Sequence, residues 1–123
     1  MTEENPILRF FTWWNDAMAD TDMLTPDNFA RFFAEDGQLI VNGNLRATGP
    51  EELTAHYHAI ADRLDHVEMI LPVEEAFANN DRAFVHCRTC ASADGRQSAE
   101  EAMAYAIMDG PHMRLLRVVS LSV

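Results

Sequence analysis

Three turn signals at near-even spacing organise the second half of the chain: Asn79-Asn80-Asp81, Asp94-Gly95 and Asp109-Gly110, with the two glycines fifteen residues apart. An Asp-Gly pair supplies the positive φ angles of a tight hairpin, and both pairs are flanked by β-type residues, so the pattern predicts consecutive antiparallel hairpins. The expected strands run from His66 to Ala78, Arg82 to Ala93, Gln97 to Met108 and His112 to Val123. At about ten residues each they exceed the usual five or six, and a sheet of long twisted strands must bury at least one face. The first half of the chain is the material available to cover it.

That first half reads as helical, with one short hairpin. Ile7, Phe10, Phe11, Trp14 and Met18 repeat at helical spacing and predict an amphipathic helix over Ile7 to Ala19, with Trp13 beside the stripe. Thr25 then caps a second helix with Pro26 at its first position, where the missing N–H costs nothing. Phe29, Phe32 and Phe33 form its expected buried face and Gly37 its end. Gln38 to Asn42 reads as a strand, Gly43-Asn44 as a turn and Leu45 to Thr48 as the returning strand. Pro50 opens a third helix that buries Leu53, Tyr57, Ile60, Ala61 and Leu64, with His56 flanking that face and His58 pointing away.

The 123 residues, 48% of them hydrophobic, suit one domain (1–123) that buries most of its unfolded surface without disulfides. No apolar run approaches the ~18 residues of a membrane span, and the start is acidic where a signal peptide is basic, so a cytoplasmic protein is expected. A formal net charge of −11 repels phosphate backbones and anionic headgroups. This argues against nucleic-acid and membrane partners and leaves neutral molecules, cations and other proteins. All nine basic residues are arginine, which removes Schiff-base chemistry on a lysine. Cys87 and Cys90 form a C-x-x-C pair, but inside a predicted strand residues three apart face opposite sides, and no second ligand pair completes a zinc site. Structural thiols are expected, with no metal and no cofactor.

The order helix, helix, short hairpin, helix and four long strands fits few folds, because α+β chains segregate helices to one face of an antiparallel sheet. With "FARFFAEDGQLIVNGNLRATGPEEL", "NNDRAFVHCRTC" and "MDGPHMRLLRVVSL", the chain resembles the nuclear transport factor 2-like superfamily, and within it the SnoaL-like and ketosteroid-isomerase-like proteins. The resemblance covers nearly the whole sequence. It implies a cone-shaped, cystatin-like α+β fold in which three N-terminal helices pack on a strongly curved, mostly antiparallel sheet. Members use this cone for isomerases, dehydratases, epoxide hydrolases, cyclases and non-enzymatic binding subunits, so the fold alone assigns no activity. Relatives commonly pair through the outer sheet face, which implies a homodimer here through residues such as Phe84 and Tyr105.

The resemblance also sets expectations for the site. In the steroid-isomerase branch a strand aspartate acts as base, and "FFAEDGQLIVNG" places Val41 there with Asn42 next. That branch's phenol donor position falls on Trp14 and its protonated acid on about Ala104, while Tyr57 matches a pocket aromatic that is equally a core residue. Dehydratase-like relatives carry a pocket histidine where "LDHVEM" has His66, and an imidazole titrating near neutrality serves as acid or base. Alternation opposes this assignment. Val67, Met69, Leu71 and Val73 make the strand's apolar face, which leaves His66 and Glu68 on the other unless a bulge near Pro72 resets the register. His56, His58, Asp16 and Glu74-Glu75 read as solvated or surface positions, and His86 falls on the outer face.

Two readings follow. In one, the cone holds a small apolar or polycyclic molecule, with Trp14, Val41, Tyr57, Met69, Val85, Cys87, Ala104 and Val118 as wall candidates and His66 as the candidate for isomerase, dehydratase or hydrolase-type chemistry. In the other, a non-enzymatic binding or assembly module fills the cone with its own side chains. Ala102, Ala104 and Ala106 leave room on one face, which Trp13 and Trp14 would close if they folded into it. An open cavity above ~300 Å³ with a buried titratable group separates the two readings.

Overall fold

The computed structural model describes residues 5–123. Helix α1 (Pro6–Ala19), a single 3₁₀ turn (Thr21–Met23) and the one-turn helix α2 (Pro26–Phe29) precede strands β1 (Phe33–Val41) and β2 (Asn44–Thr48). Helix α3 (Gly49–Arg63) follows, then β3 (His66–Met69), β4 (Glu75–Ala78), β5 (Arg82–Ala93), β6 (Arg96–Asp109) and β7 (His112–Ser122). The strands make one sheet in the order β2-β1-β7-β6-β5-β3, with β4 also on β5. Every pairing is antiparallel except β1 with β7, so the first hairpin joins the long meander through a parallel seam.

Turn chemistry explains most of the connections. Asp94-Gly95 takes positive φ at both residues (53° and 76°), as the β5–β6 hairpin requires. The β1–β2 turn is Asn42-Gly43 (φ 52° and 84°) rather than Gly43-Asn44, because a tight two-residue turn needs both central residues left-handed and Asn42 tolerates it. Before β5, the Asn79 carboxamide oxygen accepts the Asp81 and Arg82 N–H groups at 3.1 and 3.0 Å.

Two expectations from the sequence are corrected. The first meander strand, expected unbroken over His66 to Ala78, is two strands, β3 and β4, paired in succession with β5. Ile70 and Glu74 still donate to the Arg88 and His86 carbonyls, both at 2.9 Å, so only residues 71–73 loop out, opposite the single β5 residue Cys87. Pro72 has no N–H for a ladder, and the break leaves Leu71 exposed rather than on the buried face. The second helix stops at Phe29 instead of Gly37: Phe33 opens β1 and pairs with Met113, so long-range pairing overrides a weak helical segment. Gly37 is an interior residue of β1 at a register shift against β7, and a Cβ there would lie 2.6 Å from the Met113 carbonyl oxygen.

Helix α1 carries the core. Phe10 is fully buried, and its ring lies 5.2–6.2 Å from those of Phe11, Trp13, Phe29, Phe32, Phe33 and Tyr57. Opposite it lie small and aliphatic side chains of the concave face, among them Leu39, Ala83, Val85, Ala104, Ala106 and Leu116. Two asparagines fasten the helix at either end. Asn5 caps α1 by accepting from Ile7 and Leu8 N–H, while its amide donates to the Phe77 and Phe84 carbonyls at 3.0 and 3.1 Å. Asn15 donates to the Met69 carbonyl (2.9 Å) and accepts its N–H (2.7 Å), occupying the free edge of β3. One helix thus bridges the two strands that Pro72 separates.

Phe33→Ala should lower unfolding free energy by roughly 3 to 5 kcal/mol, since it removes a fully buried ring. Asn15→Leu should cost about 1–3 kcal/mol by orphaning both Met69 backbone groups. Urea unfolding followed by circular dichroism reads both effects, and midpoints unchanged from the parent would contradict this account of how α1 is held.

Candidate ligand-binding cavity

Between α1, α3 and the concave sheet lies an open cavity of about 480 Å³. Each element contributes side chains at its natural period. Phe11 and Trp14 come from α1; Leu39 and Val41 from β1; Cys87, Thr89 and Ala91 from alternate positions of β5; and Ser98, Glu100, Ala102 and Ala104 from alternate positions of β6. Residues 56, 60 and 63 of α3 (His56, Ile60, Arg63) stand at i, i+4 and i+7, one stripe of the helix, and all three line the cavity beside Tyr57. Arg46 reaches it from β2, Val67 and Met69 from β3, and Val118 and Ser120 from β7. The space exists because β6 places alanine where its neighbours carry larger side chains.

Tyr57 is held by rings. It stacks on Phe29 (5.6 Å between centroids, 8° between planes), meets Trp14 edge-on at 6.2 Å and lies 4.9 Å from the His56 ring. Its hydroxyl has no hydrogen-bond partner among the described residues, and burial raises its pKa well above the usual phenol range. It therefore remains a protonated donor at any physiological pH. The half-buried His56 imidazole titrates below its ordinary value, first because burial disfavours the charged form and then because the Arg46 and Arg63 guanidiniums repel a further positive charge. At neutral pH it is uncharged, able both to donate and to accept. Burial pushes the Cys87 thiol up to about 11, so it is an inert wall residue rather than a nucleophile.

Of the wall candidates named from sequence, Trp14, Val41, Tyr57, Met69, Cys87, Ala104 and Val118 line the cavity. Val85 does not; it is fully buried in the core on the same face. Trp13 packs against Phe10, Phe29 and Phe32, so it leaves the cavity open, and Trp14 forms part of its wall. Both indole N–H groups are buried without a partner among the described residues.

His66 is in a different place from the one a catalytic role requires. Its side chain is 55% exposed and bonds Glu68 at 3.0 Å, because β3 keeps simple alternation and the break at Pro72 comes too late to turn it inward. Val41 stands at the cavity with no carboxylate in its place, while Asn42 is engaged in the turn and accepts the Ser120 N–H at 2.9 Å. His58 is half-buried with Nε2 3.0 Å from the Leu24 carbonyl, a structural tie rather than a solvated group. His86 is on the outer face as expected, 2.5 Å from Glu101. His56, expected to be solvated, is half-buried and lines the cavity; Arg46, Arg63 and Glu100 are not among the candidates named from sequence, and for His56 and Arg63 the α3 stripe spacing is a usable signal.

No protein-family model matches the chain, and no curated protein sequence matches it. Solved structures do. A nuclear transport factor 2-like protein of unknown function from Exiguobacterium sp. 255-15 superposes with a TM-score of 0.77 at 14% identity, covering 94% of this chain and 98% of that one. A SnoaL-like protein from Jannaschia sp. CCS1, carrying a provisional polyketide cyclase name, gives 0.72 at 15% identity over 94% and 82% of the two chains. A hypothetical protein with a ketosteroid isomerase-like fold from Catenulispora acidiphila DSM 44928, solved with trimethylamine, gives 0.70 at 16% identity over 87% and 81%. These superpositions and the helix-covered curved sheet agree: the chain has the nuclear transport factor 2-like α+β fold, the fold shared by the SnoaL-like and ketosteroid isomerase-like proteins it resembles.

Proposed function

We propose that this chain is a small-molecule-binding protein of the SnoaL-like kind, whose cone takes up a compact, largely apolar or polycyclic molecule. The observation that carries this reading is the open cavity of about 480 Å³, walled mostly by apolar side chains and lined by Tyr57, whose hydroxyl has no hydrogen-bond partner among the described residues. A ligand oxygen would satisfy that donor. The alternative of a self-filled assembly module lacks support, since neither tryptophan occupies the room left by the alanines.

Any chemistry in this site is of the isomerase, dehydratase or hydrolase type, with Tyr57 donating to a ligand oxygen and neutral His56 as the group able to move a proton. His56 takes the role that His66 was expected to fill. Steroid isomerisation is not the reaction, because general-base catalysis contributes typically 10² to 10⁴-fold and Val41 offers no base. The protein acts as a homodimer in this proposal. Phe77, Met103, Tyr105, Val119 and Leu121 are exposed on the outer sheet face, an apolar surface of the kind that oligomers bury. Two free cysteines suit the reducing cytoplasm. Among the described residues no helix is long and apolar enough to cross a membrane.

Binding is tested with the uncharged fluorophore N-phenyl-1-naphthylamine, whose emission should rise on titration with the protein. Thr89→Trp, which puts bulk into the cavity from a half-buried position, should weaken that binding by about tenfold or more, as a filled pocket excludes its ligand. Binding unaffected by Thr89→Trp in a normally folded variant would place the dye elsewhere and remove the support for this reading. Light scattering at micromolar concentration should give about twice 13.9 kDa. A 3-oxo-Δ5 steroid should show no turnover approaching one per second.

The His56 shift has a signed consequence. Its folded pKa lies below the ordinary 6.5, so below that pH the unfolded chain takes up the proton more readily than the folded one. This contribution to stability is complete above the unfolded value and is lost as pH falls through the folded one. His56→Gln should therefore flatten part of the decline in melting temperature between about pH 7 and about pH 5, and a parallel decline in parent and variant would refute the assignment.

A further inference from the structure

We infer that the ligand is an anionic amphiphile, an apolar body ending in a carboxylate, sulfonate or similar oxyanion, whose charged end seats between Arg46 and Arg63 beside His56. The inference rests on the binding role proposed above and adds the chemical class of what is bound. Its basis is a local reversal of charge. The chain holds 9 basic and 20 acidic side chains, yet the cavity is lined by two guanidiniums, Arg46 and Arg63, and by one carboxylate, Glu100.

The two arginines arrive from different elements, β2 and the last turn of α3, and both line the cavity together with His56. Glu100 does not counter them at His56. It projects from β6 with Ser98 and Ala102, on the sheet side. Among the described residues neither guanidinium forms an ion pair, although acidic residues outnumber basic ones. Arg63 gives its Nε–H to the Ala59 carbonyl at 3.3 Å, which leaves its terminal nitrogens free to face a ligand. Two like charges gathered without a counter-charge repel one another, and an oxyanion relieves that repulsion with charge-assisted hydrogen bonds whose forked geometry suits arginine. Neutral His56 adds a donor at the same place. Behind this polar side lie Trp14, Met69 and Ala104, apolar wall for the rest of the molecule.

A matched pair of probes separates the charge from the apolar body: 8-anilinonaphthalene-1-sulfonate carries an anion on the ring system that N-phenyl-1-naphthylamine presents uncharged. Fluorescence titration should show Arg46→Gln/Arg63→Gln losing about tenfold or more in affinity for the sulfonate while its affinity for the neutral probe stays within about twofold. Arg96→Gln, on the β5–β6 hairpin outside the cavity, should bind both probes as the parent does. Thr89→Trp should weaken both probes together. Equal sulfonate affinity in the parent and the double variant would overturn the anionic assignment while leaving the binding role intact. Sulfonate binding that survives Thr89→Trp would likewise overturn it, by locating the anion on the outer face. A parent protein that binds neither probe would remove both the binding role and this inference. Each variant is checked by its melting curve, and the single Arg46→Gln, exposed on the short strand β2, supplies the comparison if the double variant melts early.

Discussion

The Phe10 ring is the contact on which the rest of the architecture depends. Six other aromatic rings lie within 6.2 Å of it, drawn from α1, α2, the start of β1 and α3. Edge-to-face and tilted pairs of this kind favour one mutual arrangement over a loosely packed one, so a single cluster fixes the angle at which three helices meet the sheet. The same cluster determines where the cavity is. Aromatic bulk fills one part of the concave face, while β6 supplies alanine on that face, and the curved sheet cannot flatten to close the remaining space.

Polar anchoring does what the aromatic cluster cannot. Residues 71–73 leave the ladder, so the edge of the sheet is in two pieces, β3 and β4, aligned only through their common partner β5. Asn5 and Asn15 reinforce that alignment from outside, one bonded to β4 and β5 and the other to β3, each satisfying backbone groups of long sequence separation. Because both sit on α1 or its cap, the helix that carries Phe11 and Trp14 into the cavity is registered against the strand that carries Met69. The wall positions on α1 and β3 are therefore held in one register.

What the sequence disclosed, and what it concealed, follows from the range of the interactions involved. Asp94-Gly95 and the α1 stripe are local, and a reader of the sequence finds both in place. The shortness of α2 is not local. Phe29, Phe32 and Phe33 have helical spacing and are all buried as expected, but Phe33 gets there as a strand residue because Met113, eighty positions later, pairs with it. The break at Pro72 was visible as a residue that cannot donate, but not its extent. In the site, seven of eight wall candidates line the cavity, since strand alternation and helix periodicity assign faces well. Alternation turns His66, the acid-base candidate, outward, while the i, i+4, i+7 spacing of His56, Ile60 and Arg63 puts all three on the cavity.

The charge of the chain shows how far composition can mislead about a site. A net charge of −11 argues against anionic partners, and for polyanions such as nucleic acid that argument stands, because they sense the whole surface. A small ligand inside a cavity senses something else. Exposed charges separated by more than about 8 Å are largely screened at physiological ionic strength, whereas partly buried neighbours are screened much less. His56 titrates below its ordinary value first because it is half-buried and only then because of Arg46 and Arg63, and the charges that act on it are these two guanidiniums rather than the twenty carboxylates of the chain. The charged side chains that act on the imidazole are thus opposite in sign to the net charge of the chain. In the proposal made above, the overall negative charge disfavours polyanions at the surface while the two cavity arginines attract a single small anion.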